Sequence, residues 1–454
     1  MAKGTGTMSK AKKCVPPLRF RAETLPHAEC GSMRNAKPWE TKPLNEWLEV
    51  SNAENRGGIF SAEDVLSVSG EFGVVNQIEF QGRSFAGASL AHYRVLKKGQ
   101  VVYTKSPLKR APFGIVKANQ FQDGIVSSLY GVYDVKDAEP AFVQRYFDAI
   151  DRLNNYLCPL VNKGAKNTLL ISDEDALAGM VCFPSPPEQR KIGGFFCSLD
   201  ALIEARAKAL EKIESLKKSM LQKMFPHGES LVPEVRFKEF CDDATRQLSA
   251  VQINAGGKGE DARPTSVPWE RKRLGEIAEY VTEKNIHGQI TEVFTNSAEN
   301  GIVSQLEYFD NAIAKNISAY CIVHENAFVY NPRISVTAPV GPINRNATGR
   351  IGVVSPLYTI FRTKGIDVVY LSCFFKTTCW HDFMFLNGDS GARADRFSIK
   401  KETLLELPIL VPPLPEQQKI GSYFRSLDAL IAARREEVGK LKQMKKALLE
   451  RMFV

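Results

Sequence analysis

Two stretches of this chain gather cationic side chains among glycines and small polar residues. The first holds Lys97, Lys98, Lys105, Lys109, Arg110 and Lys117, followed by Lys163 and Lys166. The second holds Arg333, Arg345, Arg350, Arg393, Arg396, Lys400 and Lys401, and includes the loop composition Gly388-Asp-Ser-Gly-Ala-Arg393. Ammonium and guanidinium groups neutralise phosphates, and the arginine fork matches base edges, so such stretches have the chemistry of DNA contact. Any one of these cations is most simply a solvated surface residue. Taken as clusters they favour DNA, with Arg333, Arg393 and Arg396 and Lys105, Lys109 and Arg110 as the foremost candidates, and Lys117, Lys166, Arg345 and Arg350 beside them.

Catalytic signatures are missing. No Gly-x-x-x-x-Gly-Lys-Ser/Thr loop exists to cradle phosphates, and no Gly-x-Gly-x-x-Gly follows a strand. Asn331-Pro-Arg-Ile334 begins like the Asn-Pro-Pro-aromatic motif of amino-methyltransferases, but Arg333 stands where the second proline belongs. The nine cysteines include no Cys-x-x-Cys, and Cys379-Trp-His381 reads as core packing, so no metal is expected. Dispersed cysteines read as unpaired thiols of a reducing compartment, and no apolar run is long enough to span a bilayer; the expected location is the cytoplasm, away from membranes. A net charge of +9 is compatible with a polyanionic partner.

The elements that must position these loops are announced by a repeat. Pro184-Ser-Pro-Pro-Glu-Gln-Arg-Lys-Ile-Gly193 returns as Pro412-Pro-Leu-Pro-Glu-Gln-Gln-Lys-Ile-Gly421, and the register holds to Phe225 and Phe453. Each run reads as a long helix with prolines at its start and a glutamate near the positive end of its dipole. The first has an apolar stripe of Ile192, Phe196, Leu199, Ile203, Leu210, Ile213 and Met220; the second has Ile420, Phe424, Leu427, Ile431, Val438, Leu441 and Leu448. At about 1.5 Å per residue each runs to roughly 50 Å, too long to bury its stripe against one small domain, so the two are expected to pair with each other.

Other phrases recur as well. Val15-Pro-Pro-Leu-Arg-Phe20 returns as Val232-Pro-Glu-Val-Arg-Phe237, Pro38-Trp-Glu as Pro268-Trp-Glu, Gln100-Val-Val-Tyr103 as Ala327-Phe-Val-Tyr330, and Val126-Ser-Ser-Leu-Tyr130 as Val354-Ser-Pro-Leu-Tyr358. The chain is a tandem duplication. Between these anchors the copies look almost wholly divergent, as in Asn55 to Ser89 against Glu283 to Lys315, which suggests one scaffold carrying two surfaces. Strands are expected over 100–103, 124–127, 132–135, 320–323, 327–330 and 351–354, and helices over 141–157 and 368–386. The expected division is a basic tail over 1–14, one recognition domain over 15–183, a long helix over 184–226, a second recognition domain over 227–411 with a loop at 248–267, and a closing helix over 412–454.

The twin Pro-x-x-Pro-Glu-Gln-x-Lys-Ile-Gly segments, the Leu-Asp-Ala-Leu-Ile phrases at 199–203 and 427–431 and the Val-Pro-x-x-Arg-Phe phrases together make the chain resemble the specificity subunit of a type I restriction-modification system. The resemblance implies an α+β fold, with two pseudo-symmetric mixed α/β target-recognition domains separated by two long antiparallel helices in a coiled coil. Each domain would read one half of a split, asymmetric sequence in double-stranded DNA, the helix pair setting the distance between halves. It implies partners: two methylating subunits, which use S-adenosylmethionine, and two ATP-driven translocase-nuclease subunits, with Mg. This chain itself would bind no cofactor and catalyse nothing. Two other classes stay open at this stage, a coiled-coil scaffold that binds only proteins and a self-sufficient DNA methyltransferase or nuclease.

Overall fold

The computed structural model describes residues 14–20, 38–87, 89–108, 111–163, 169–241, 268–309, 317–389 and 395–453. They form two compact units, Met1–Ala207 with Glu436–Val454, and Lys208–Arg435. The unit boundaries fall inside both long helices.

In the first unit short strands rich in Val, Ile and Tyr make one four-stranded antiparallel sheet and four two-stranded pairs. The strands are β1 (Glu40–Pro43), β2 (Leu48–Val50), β3 (Leu66–Ser69), β4 (Gly73–Asn76), β5 (Arg94–Leu96), β6 (Val101–Tyr103), β7 (Val116–Ala118), β8 (Gly124–Val126) and β9 (Gly131–Val135), with β10 (Asn162–Lys163), β11 (Leu169–Leu170) and β12 (Met180–Phe183) later in the chain. The central order is β2-β9-β6-β7, and β3-β4, β5-β8 and β1-β12 are antiparallel pairs beside it. Helices α1 (Gln77–Gln81), α2 (Pro140–Asp148) and α3 (Ile150–Leu157) precede the long α4 (Pro186–Lys223). The core packs Trp39, Phe142, Tyr146 and Phe196 around Phe453, with Tyr103 and Phe183 in the same cluster.

The second unit repeats this plan with β13 (Glu270–Arg273), α5 (Leu274–Ile277), β14 (Ala278–Tyr280), β15 (Phe294–Ser297), β16 (Gly301–Ser304), α6 (Gln305–Phe309), β17 (Cys321–Val323), β18 (Phe328–Tyr330), β19 (Ile343–Arg345), β20 (Gly352–Val354) and β21 (Thr359–Thr363). Then come α7 (Val368–Phe374), α8 (His381–Asn387), α9 (Lys401–Leu405), β22 (Pro408–Val411) and the long α10 (Leu414–Arg451). Its central sheet has the order β14-β21-β18-β19, the counterpart of the first. Its core packs Trp269, Tyr370, Phe374 and Phe424 around Phe225, with Phe328 and Phe361 in the same cluster. Phe225 follows the first long helix and Phe453 the second, so each repeat supplies the aromatic plug of the other unit's core. Each plug adds roughly 1.5–3 kcal/mol of burial.

Both long helices are unbroken over 38 residues. In the first unit Arg206 pairs with Glu437 at 3.1 Å and Asp200 with Lys445 at 2.6 Å; in the second, Glu214 pairs with Arg435 at 2.6 Å and Lys217 with Asp428. Within each unit a later residue of α4 meets an earlier one of α10, which is antiparallel pairing. Ile192, Phe196, Leu199 and Ile203 join the first core with Leu441 and Leu448, and Met220, Ile420, Phe424 and Leu427 join the second. Ile431 and Val438 are buried, while Leu210 and Ile213 are half-buried.

Three expectations need correction. The helix expected over 141–157 breaks at Ala149, whose ψ of 105° is extended, and Arg152 takes up the freed Tyr146 carbonyl at 2.8 Å. The helix expected over 368–386 breaks after α7, where the Thr377 hydroxyl donates to the Phe374 carbonyl at 2.7 Å and accepts from the Cys379 N–H, competing with the helical ladder. And Cys14 is not an unpaired thiol: it is joined to Cys182 as a disulfide. Cys379 does not pair with His381. Its thiol donates to the Pro226 carbonyl and lies 3.4 Å from His227 Nδ1.

Candidate nucleic-acid interface

The repeated phrases turn out to be one clamp, built twice. Arg19 of the first Val-Pro-x-x-Arg-Phe phrase makes a two-pronged ion pair with Glu188 of the Pro-Glu-Gln segment at 2.8 and 2.5 Å, and Arg236 does the same with Glu416 at 2.7 and 2.7 Å. The following glutamine is fully buried in both units. Gln189 accepts from the Glu139 N–H and donates to the Pro184 carbonyl; Gln417 accepts from the Asp367 N–H and donates to the Pro412 carbonyl. The glycines that close the motif let the long helix touch its neighbour: a Cβ on Gly193 would lie 3.1 Å from the Phe142 nitrogen, and one on Gly421 3.3 Å from that of Tyr370. The motif therefore fastens each long helix to the head of α2 or α7, the short helix that packs on the four-stranded sheet.

That sheet in turn fixes an eleven-position surface loop, Thr104 to Gly114 in the first unit and Asn331 to Gly341 in the second. Its ends are tied by Thr104 N–H to the Ile115 carbonyl at 2.9 Å and by Asn331 N–H to the Pro342 carbonyl at 3.0 Å. The tyrosine before each loop, Tyr103 or Tyr330, donates its hydroxyl to Phe113 or Val340. Gly114 and Gly341 have φ of +89° and +82°, and a Cβ on either would collide with the carbonyl that opens the loop, so only glycine closes it. Inside the loop Leu108 and Ala111 exchange backbone hydrogen bonds, as do Ser335 and Ala338. The frame is identical and the tip is not: Leu108 and Val336 are exposed, and the residues between frame points share no pattern.

The sequence-selected cations fall unevenly around these loops. Arg333 stands exposed on the second loop, 3.7 Å from Asp395, and a backbone bridge sets it against Arg396. One surface guanidinium is thus paired with a carboxylate, and a second arginine lies across the backbone bridge from it. Lys105 belongs to the first loop, but it is largely buried and paired with Asp173 at 2.7 Å, which Arg94 also holds at 2.7 Å. Lys117 is buried with Asp148 at 2.6 Å, and Arg145 reaches the same carboxylate at 2.7 Å. Burial alone would push the Asp148 carboxyl up, but Lys117 and Arg145 outweigh it and hold it below its ordinary range. Lys105 and Lys117 are thus committed inside the domain, because a desolvated ammonium needs its carboxylate.

Arg345 is half-buried, with its pKa lowered by burial and by Arg425, and donates to the Asn326 side chain at 2.5 Å. Arg350 is held by Glu307 at 3.3 Å and Glu292 at 3.5 Å. Lys109, Arg110, Lys166 and Arg393 lie outside the described residues. Among those described, no group of His, Cys, Asp and Glu is arranged to hold a metal, and no helix is long and apolar enough to cross a membrane.

The copies also share more than the anchors. Asn55 binds both the N–H and the carbonyl of Phe60, and Asn285 does so with Ile290; Asn119 and Asn346 buttress the turns after the loops. Ala111-Pro-Phe-Gly114 and Ala338-Pro-Val-Gly341 are the sequence trace of the common loop. The divergence between the anchors is therefore less complete than the sequence suggests: isolated polar and glycine positions survive because backbone geometry needs them, while their neighbours drift.

Residues 266–443 match the family model described as the type I restriction modification DNA specificity domain. No curated protein matches the chain. Among solved structures it is similar to the HsdS subunit from Thermoanaerobacter tengcongensis (17% identity, covering 91% of this chain and 96% of that one, TM-score 0.40). It is also similar to the type I restriction-modification system S subunit from M. genitalium (14%, 93% and 98%, TM-score 0.48). Likeness at that level adds no weight here. The second half of the chain thus carries a match to a type I restriction modification DNA specificity domain, and the first half is built with the same clamp, sheet and loop.

Proposed function

We propose that the two recognition loops read two different short sequences, so that the whole target is bipartite and asymmetric, and that the chain directs methylation there without catalysing it. The observation that carries this reading is the loop pair: one frame, tied at its ends and at its inner turn by the same backbone contacts, presents two unrelated tips. Rigid frames that carry variable side chains are how a recognition surface changes its target without changing its fold. Arg333 and Arg396 suit base-edge or phosphate contact in the second half-site. The methylating partner, in two copies, would supply S-adenosylmethionine and adenine-N6 chemistry, and a translocase-nuclease pair would add ATP- and Mg-dependent cleavage. In this chain, binding would fall steeply with salt, because phosphate contact releases counterions.

The test is methylation mapping of host DNA with and without the gene. Loss of N6-methyladenine from one motif, two short halves around a fixed gap, is the expected result. Unchanged methylation in the presence of active partner subunits overturns the proposal.

A further inference from the structure

Beside each recognition sheet, the same small element projects from both units: the hairpin β3-β4 with α1, and the hairpin β15-β16 with α6. Its position is firmly set. Asn76 caps α1 through the N–H groups of Ile78 and Glu79, while the Gln77 and Gln305 backbones bond to the Val65 and Val293 carbonyls. Yet its outer face is apolar. Phe72 is 61% exposed and Phe80 47%, with their rings 5.6 Å apart; in the second unit Leu306 is 61% exposed, Tyr308 46% and Phe309 44%. Uncovered aromatics on a fixed element mark a contact surface.

Two features identify what covers it. Hairpin register aligns Gly73 with Gly301, and from there Glu71 matches Glu299, Glu79 matches Glu307 and Phe80 matches Tyr308, all exposed. The recognition loops differ between units, whereas this face keeps an exposed aromatic and two exposed glutamates at matched positions in both, although Phe72 is matched by Asn300. The occupant is therefore the same on both units. Furthermore, residues 61–82 carry Glu63, Asp64, Glu71 and Glu79, and residues 288–309 carry Glu292, Glu299 and Glu307, with no Lys or Arg in either stretch of a protein that has 60 of them. Two cations that flank these elements are already engaged: Arg83, just after α1 in the chain, lies over the Phe85 ring, and Arg350 pairs with Glu292 and Glu307. An acidic rim repels a phosphate backbone, so DNA is the wrong occupant.

We infer that these two faces dock two copies of one partner protein, one on each unit, through a partner surface that is apolar at its centre and basic at its rim. The inference rests on the specificity reading for its probe, the purified methylating subunit of the same system. Mixed with that subunit, the full native chain should take up two copies by native mass spectrometry. Phe80→Glu and Tyr308→Glu should each leave one copy bound, and the double variant should weaken uptake of both at least tenfold, with DNA affinity of the chain unchanged. Glu71→Lys with Glu79→Lys keeps the apolar area and should still weaken one copy several-fold; thermal melts check that every variant is folded.

Two copies bound to the double variant at native affinity overturn the inference. So does loss of DNA binding with partner uptake intact, or a self-association of the chain that Phe80→Glu abolishes. No partner uptake by the native chain overturns the specificity reading itself.

Discussion

The two units share a backbone and differ in where they keep charge. In the first, Lys117, Asp148 and Arg145 form a buried ionic triad that Arg145 extends to Asp200 on α4 and Lys445 on α10. In the second, strand register puts Asn344 in the place of Lys117, and the helix repeat puts Cys373 and Lys376 in the places of Arg145 and Asp148. Only the outer part remains, Asp428 with Lys217 and Lys376. The disulfided Cys14 and Cys182 are likewise matched by Leu231 and Leu410, a plain apolar contact. Ionic interiors are replaceable as sets, because removing one partner strands a charge, whereas removing all of them costs little. The Arg-Glu clamp, by contrast, is present in both units, since it ties separate segments of chain at the root of each long helix.

The sharpest break in the symmetry should come at that clamp. Glu416 is wholly buried and Arg236 nearly so, while Arg19 and Glu188 are each about one-sixth exposed. Arg236→Met should destabilise the second unit by about 3–5 kcal/mol, the cost of stranding a buried carboxylate, and Arg19→Met should cost the first unit clearly less. Equal losses in urea unfolding followed by hydrogen exchange of each unit would refute the difference in burial.

The plugs should behave alike instead. Phe453→Ala and Phe225→Ala are each expected to cost about 3–5 kcal/mol, but each in the unit formed mainly by the opposite repeat. Hydrogen exchange that loosened the plug's own repeat instead would contradict the exchange of plugs.

At the surface the asymmetry reverses. Arg333→Ala should lower specific DNA affinity by about 1–3 kcal/mol and relax one position of the target, whereas Lys105→Ala should lower stability and hardly touch DNA affinity. Fluorescence anisotropy on matched and mismatched duplexes separates the two outcomes.

The smallest effect is in pH. Because the folded state holds Asp148 below its ordinary value of 3.8, its contribution is complete above that value and is lost as pH falls below it. The first unit should therefore lose this increment in acid while the second, with Lys376 there, has none to lose. Asp148→Asn should remove the difference between units in an acid melt.

The sequence determined the duplication, the long helices and six of the strands, because these are written in periodicity and in repeated phrases that need no knowledge of contact. Glu188 and Gln189 were visible as a motif, yet their roles were not: the spacing suggests a helix dipole, and only folding brings Arg19 and the Glu139 amide to them. Nor could composition separate Arg333, at the surface, from Lys117, under the sheet, since both are cations on strands or loops of similar neighbours. That distinction belongs to tertiary structure, because desolvation depends on what packs over a side chain, and what packs over Lys117 is a helix some thirty positions further along, carrying Asp148.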